Sequence, residues 1–143
     1  MSFEGAKLAL YLGERLAVIL RDDFEGLPFA GHWDLPGGGR EGDETPLECA
    51  LRECREELGL DVPEAAIEWE RAFRERGTVR WFFVARLPES VVGQVILGDE
   101  GQRWEMMTEE DFLNHSKAVP SLQFRLGTYL DEQGEGVRKA PRF

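Results

Sequence analysis

The chain has 143 residues, 42% apolar and 31% charged, which suits one globular domain whose core needs no disulfide or metal staple. A net charge of −11 argues against broad binding to nucleic acid or to an anionic membrane, both of which require basic surface. No segment reaches the roughly 20 apolar residues of a membrane span, and the N-terminus MSFEGAKLALYLG lacks the basic lead and long apolar run of a secretory signal. A reduced, cytoplasmic protein is expected.

In chain order, Lys7 to Leu12 and Leu16 to Leu20 are apolar runs around a Gly13-Glu14 turn, which predicts a β-hairpin. Arg21 to Gly31 contains Asp22, Asp23, Gly26 and Pro28 and predicts a loop. Its Phe24, Leu27 and Phe29 are expected to tuck onto the core, with a lid or base-stacking surface as the alternative. Trp33 to Leu35 predicts a short strand feeding a loop, Leu35-Pro36-Gly37-Gly38-Gly39, in which glycines let the backbone approach a ligand closely.

A helix from Pro46 to Leu58 is bracketed at both ends. Thr45 is an N-cap, Pro46 suits the first helical position, and Glu48 completes a capping box. Gly59 follows the last turn, with Leu60 folding back as its apolar contact. Leu47, Ala50, Leu51, Cys54 and Leu58 make one apolar stripe for the core. Glu53, Glu56 and Glu57, spaced i, i+3, i+4, gather on the flank of that stripe. Like charges so placed destabilise a bare helix by a few tenths of a kcal/mol per pair. A hard divalent cation reverses that sign, and carboxylate oxygens suit Mg²⁺, with Mn²⁺ as a substitute. A lone Glu-Glu pair would signal only a solvated acidic face.

After the helix, Asp61 to Ala65 is a connector. Ile67 to Arg76 and Thr78 to Leu87 are extended runs around Gly77, the second rich enough in β-branched and aromatic residues for a central strand. Trp81, Phe82 and Phe83 are expected mainly in the core, with one ring able to stack on a substrate base. Val91 to Leu97 predicts a short irregular strand, Asp99-Glu100-Gly101 a turn, and Gln102 to Met106 a last short strand. Thr108 caps a short helix, TEEDFL, and a longer apolar-patterned helix follows Pro120. Residues 1–133 read as one domain and 134–143 as a flexible, polar C-terminal tail. Strands among two or three helices predict an α/β fold with a mixed sheet and helices on both faces.

Cys49 and Cys54 lie about 7.5 Å apart along one helix axis and cannot be bridged. Cys54 is expected in the core and Cys49 partly buried near the acidic face. With only His32 and His115 besides, no zinc framework is present in the sequence.

Taken together, Gly38 to Leu60 reads G-x5-E-x7-R-E-U-x-E-E-x-G-U, where U is apolar, with Gly38, Glu44, Arg52, Glu53, Glu56, Glu57, Gly59 and Leu60 at the fixed positions. This resembles the box of the Nudix hydrolases. Cys54 stands where that family usually carries an aliphatic residue, a small departure because cysteine behaves as a small hydrophobe. The resemblance implies an α/β/α sandwich with a mixed β-sheet and a loop–helix–loop catalytic motif. It implies metal-dependent hydrolysis of a diphosphate linked to a nucleoside, with a small-molecule nucleotide as partner. A cation can lower the pKa of bound water, neutralise phosphate charge and align the reacting groups.

On this resemblance Glu53 and Glu57 are principal ligands of Mg²⁺ or Mn²⁺, and Glu56 is a ligand or orients water. The Gly37 carbonyl is an additional ligand, and Arg52 pairs with a box carboxylate. Glu44 and Gly38 support the site. Glu100 is the expected ligand or base from outside the box, with Glu105 and Glu75 as rivals. The layout is similar to that of compact MutT-like enzymes, which convert a nucleoside triphosphate to monophosphate and pyrophosphate. Ala118-Val119-Pro120 lacks the asparagine such enzymes use for purines. Arg76-Gly77-Thr78 lacks the proline or tyrosine that marks ADP-ribose or dinucleoside polyphosphate enzymes. A nucleotide-conjugate hydrolase and a non-catalytic binding module are the alternatives. An isoprenoid diphosphate isomerase would need acid and base groups that this sequence does not supply. A homodimer is compatible with the charge pattern but not required by it.

Overall fold

The structure, a computed structural model, describes residues 2–134. The expected flexible tail therefore lies outside the described residues, apart from Gly134. Strands β1 (Gly5–Leu12), β2 (Arg15–Leu20), β3 (Trp33–Asp34) and β4 (Gly37–Gly39) precede helix α1 (Pro46–Leu58). Strands β5 (Ile67–Glu75), β6 (Thr78–Leu87) and β7 (Arg103–Met107) follow, then α2 (Glu109–Asn114) and α3 (Pro120–Gly134). The seven strands form one mixed sheet with the order β3-β2-β1-β6-β5, with β4 pairing to β1 and β7 to β2. The β1–β6 pairing is parallel and the others are antiparallel.

Alternation along the central strands builds two cores. Leu8, Leu10 and Leu12 of β1 face Ala50, Cys54 and Leu58 of α1. Ala9 and Tyr11 face the opposite way, toward Phe112 of α2 and Leu122 and Leu126 of α3. A strand buried on both faces has to be apolar at successive positions, and this is why KLALYL shows no polar alternation. The result is the α/β/α sandwich expected. Full burial of a Leu or Phe side chain contributes about 2 kcal/mol, so both layers are held mainly by this burial.

Helix α1 has its expected boundaries and capping box, and Gly59 takes the left-handed conformation (φ 69°) that ends it. The hairpins also form, the second turning at Arg76-Gly77.

Four expectations change. Gly37–Gly39 is a strand paired to Gly5–Lys7 and not a free loop. Val91 to Leu97 is no strand: Glu89–Gln94 is a 3-10 turn whose valines pack on the α1-side core. Cys49 is fully buried and directs its thiol at the Gly38 carbonyl, 3.5 Å away. The 21–31 loop does not tuck all of its aromatics away, because Phe24 and Phe29 are exposed. The competing principle is tertiary: the glycines find a pairing partner in β1, and the Val91 to Leu97 segment packs against α1.

Candidate active site

The C-terminal half of α1 is where the acidic residues meet. The Ile96 and Gly98 amides donate to the Leu58 and Glu57 carbonyls, each at 2.9 Å, satisfying backbone acceptors at the helix end. Gly98 is required for this approach, since a Cβ there would stand 2.1 Å from the Glu56 carbonyl oxygen. Docking this segment brings Asp99 and Glu100 opposite the helix. Glu41, Glu53, Glu56, Glu57, Asp99 and Glu100 then line one cleft of 430 Å³.

Arg52 organises one wall of that cleft. Its guanidinium donates to both Glu44 oxygens, to Glu53 Oε2 at 3.0 Å, to Glu56 Oε1 at 3.2 Å and to the Gly39 carbonyl at 3.0 Å. These contacts hold the Glu44 carboxyl below the usual range. Glu44 also accepts from the Glu41 amide and so supports Arg52 and the loop. Glu53 lies flush against the glycine strand: a Cβ at Gly38 would be 2.7 Å from Glu53 Cδ and 2.8 Å from both carboxylate oxygens. Glu57 accepts from the Gly37 amide at 2.9 Å. Burial pushes its carboxyl up to about 8, against the opposing pull of Lys7 and the Gly37 amide, with Glu53 and Asp34 reinforcing the rise.

The donor chemistry fits a hard divalent cation: carboxylate oxygens, an excess of negative charge, and a glycine whose missing side chain leaves room for Glu53. Among the described residues no three such groups already converge as a closed metal cluster. The Gly37 carbonyl instead accepts from Lys7 Nζ at 3.1 Å.

Glu100 lines the cleft, together with Asp99, which the sequence did not single out. The rivals lie elsewhere. Glu105 is paired with Arg103 at 2.7 Å on the β7 edge, and Glu75 is paired with Arg125 at 3.2 Å.

On the other side of Gly38 the charge reverses. Buried Asp34 holds Lys7 and Arg21, each at 3.0 Å, so these three groups carry one net positive charge. They line a second pocket of 430 Å³ with Gly38, Arg80, Arg125 and the exposed Phe29; Trp81 borders it, but its ring stacks on Phe83 on the α1 side of the sheet. A smaller hollow containing Arg21, Asp34, Glu57 and Glu100 joins this pocket to the acidic cleft. The cationic residues escaped the sequence reading because they are single charges on separate elements. The available signals were Lys7 opening an otherwise apolar strand and Asp34 inside a buried one.

The chain is similar to known proteins over parts of its length. It is 46% identical over 37 residues to an 8-oxo-dGTP diphosphatase of Proteus vulgaris, covering 26% of this chain and 33% of that protein. It is 32% identical over 76 residues to an RNA pyrophosphohydrolase of Marinomonas sp. (strain MWYL1), covering 53% of this chain and 44% of that protein. The chain thus spans less than half the length of either relative. In fold it is similar to the MutT protein of Methanosarcina mazei Go1, with a TM-score of 0.71 and 22% identity over 90% of this chain and 93% of that one. The NUDIX domain family model matches residues 7–125, and the chain belongs to that family.

Proposed function

We propose that this protein is a metal-dependent pyrophosphohydrolase that cleaves the phosphoric anhydride of a nucleoside triphosphate, releasing monophosphate and pyrophosphate. The observation that carries this reading is the pair of opposed hollows at Gly38, one acidic and one cationic with an aromatic wall. An anhydride between phosphates suits such a pair: its phosphates would meet the carboxylates through a bound cation, and its nucleoside end suits the exposed Phe29 and the guanidinium groups.

Glu53, Glu56 and Glu57 would hold Mg²⁺ or Mn²⁺, with Glu100 and the Gly37 carbonyl as further donors. When bound, the cation supplies charge neutralisation and a more acidic water. Arg52 positions Glu53 and Glu56, and Glu44 with Gly38 keeps that arrangement in place. Glu100, exposed at the mouth of the cleft and free of a salt bridge among the described residues, is the candidate to accept a proton from the attacking water. Lys7 and Arg21 draw the phosphates toward the glycine strand. Val119 lines the nucleoside pocket without a side-chain amide, leaving base selection to shape and stacking. No helix among the described residues is long and apolar enough to cross a membrane. A single domain working in the cytoplasm accords with this activity.

A product-resolved hydrolysis screen with Mg²⁺ and Mn²⁺ tests the reading. Its panel holds ordinary and oxidised nucleoside triphosphates, nucleotide sugars, ADP-ribose and dinucleoside polyphosphates, with Glu53→Gln as control. Pyrophosphate plus monophosphate is the expected product pair. Cleavage of conjugates alone would keep the site and move the substrate class, and no turnover of any compound would favour a binding module.

A further inference from the structure

The segment 98–102, which carries Asp99 and Glu100, is tethered at both ends through its backbone. The Gly98 amide donates to the Glu57 carbonyl at 2.9 Å, and the Gln102 amide to the Leu20 carbonyl at 2.8 Å. The Gln102 side chain adds a bond to the Arg21 carbonyl at 2.8 Å. Between these ties Asp99 and Glu100 are exposed, and among the described residues their side chains form no hydrogen bond or ion pair. The position of Glu100 in the cleft therefore depends on the backbone beside it.

That backbone has one further hold. The Gly101 amide, directly after Glu100, donates to Asp22 Oδ2 at 3.2 Å. Among the described residues Asp22 is the side chain from outside the segment that bonds to it. Gly101 is pressed against β2 at this point: its φ is 98°, and a Cβ there would stand 2.8 Å from Ile19 Cγ2.

Asp22 is itself fixed, since its carbonyl accepts from the Gly31 amide at 3.0 Å and closes the 21–31 loop. Its carboxylate forms no ion pair among the described residues, and the neighbouring Arg21 is engaged with Asp34 and the Pro28 carbonyl. The half-buried Asp22 nevertheless shares a hollow of 220 Å³ with Asp34, Glu57 and Glu100, all of the same charge. An anionic acceptor holds an amide more strongly than a neutral one, and the Gly101 amide is the group on which this carboxylate is used.

We propose that Asp22 is a positioning residue for Glu100, acting through the Gly101 amide. The 21–31 loop, which lines the cationic pocket with Phe29, thereby also sets the reach of Glu100 into the acidic cleft. A displacement of about 1 Å at a reacting group is enough to slow a reaction strongly. This role rests on the reading of Glu100 as the acceptor of a proton from the attacking water, and the test separates the two.

Wild type is compared with Asp22→Ala, with Asp22→Asn, which keeps an oxygen acceptor, and with the exposed neighbour change Asp23→Ala. Backbone amide exchange read by NMR needs no turnover. The Gly101 amide should exchange at least about ten-fold faster in Asp22→Ala, with the β1 amides unchanged. With a nucleoside triphosphate, Asp22→Ala should lower kcat about five-fold and leave KM within about two-fold. Asp22→Asn should recover most of that loss, and Asp23→Ala should stay near wild type. In a Glu100→Gln background Asp22→Ala should cost less than about two-fold, because a positioning residue has nothing left to position. Unchanged Gly101 exchange, or losses that multiply in the double variant, overturns the role of Asp22. Full turnover by Glu100→Gln alone overturns the reading of Glu100, and the Gly101 exchange rate still decides whether Asp22 holds the loop.

Discussion

The two sides of Gly38 are built in different ways. The acidic cleft comes largely from one helix: Glu53, Glu56 and Glu57 are neighbours because an α-helix repeats every 3.6 residues. The cationic groove comes from β1, the 21–31 loop, the β5–β6 hairpin and the start of α3, which meet only in the folded sheet. On the proposed function, local geometry would provide the reactive end, and long-range topology the end that chooses the substrate. Changes in the first should act on kcat, and changes in the second on KM.

Removing the metal should have the largest effect. Activity should vanish in EDTA and return with Mg²⁺ or Mn²⁺, as followed by phosphate release; turnover that resists EDTA would reject the metal role of the acidic cleft. Glu53→Gln should come next, lowering kcat at least about 100-fold with an unchanged circular dichroism spectrum, because it removes charge where transition-state charge is stabilised. A folded variant with near-normal turnover would sink the assignment.

Glu100→Gln should lower kcat about ten-fold or more and Glu105→Gln less than about two-fold, since only Glu100 lines the cleft and Glu105 is tied to Arg103. The reverse order would transfer the role. Across Gly38, Arg80→Gln should raise KM by roughly five-fold with little change in kcat, as expected when a contact common to ground and transition states is lost. A fall in kcat alone would break the division of labour between the two sides.

The smallest effect concerns the scaffold beneath the groove. Tyr129 on α3 donates to Glu68 on β5 at 2.7 Å, and burial first, then that carboxylate, pushes its phenol up to about 12. The folded protein keeps a proton that the unfolded chain loses near pH 10. The contribution is therefore complete below about pH 10 and is lost as pH rises toward 12. It should be on the order of 1 kcal/mol, visible as a falling urea midpoint over that pH window whose slope Tyr129→Phe reduces. An identical slope in the variant would remove Tyr129 as a cause.

Much of the acidic cleft was legible before folding. Thr45, Glu48 and Gly59 bracket a helix by local hydrogen bonding, so its boundaries and the face carrying Glu53, Glu56 and Glu57 follow from neighbours in the chain. The paired apolar runs foretold the hairpins for the same reason. The paths of Gly37–Gly39 and Val91 to Leu97 were not legible, because each depends on a distant partner, β1 in one case and the end of α1 in the other. Asp99 was missed beside Glu100 for that reason: nothing in its own neighbourhood says that the segment satisfies the end of a helix about forty residues earlier.

The sequence by itself determined the α/β class, the capped helix, its carboxylate face and the kinship carried by Gly38 to Leu60. Those features arise from helix periodicity, capping and alternation, interactions that act over a few residues. Only the tertiary structure decided that Lys7, Arg21 and Asp34 form one cluster, that Arg80 and Arg125 share a groove with Phe29, and that Gly38 separates opposite charges. These residues have no local reason to meet. The parallel pairing of β1 with β6 and the packing of α3 bring them together, because burying both faces of the sheet leaves no other place for those strands.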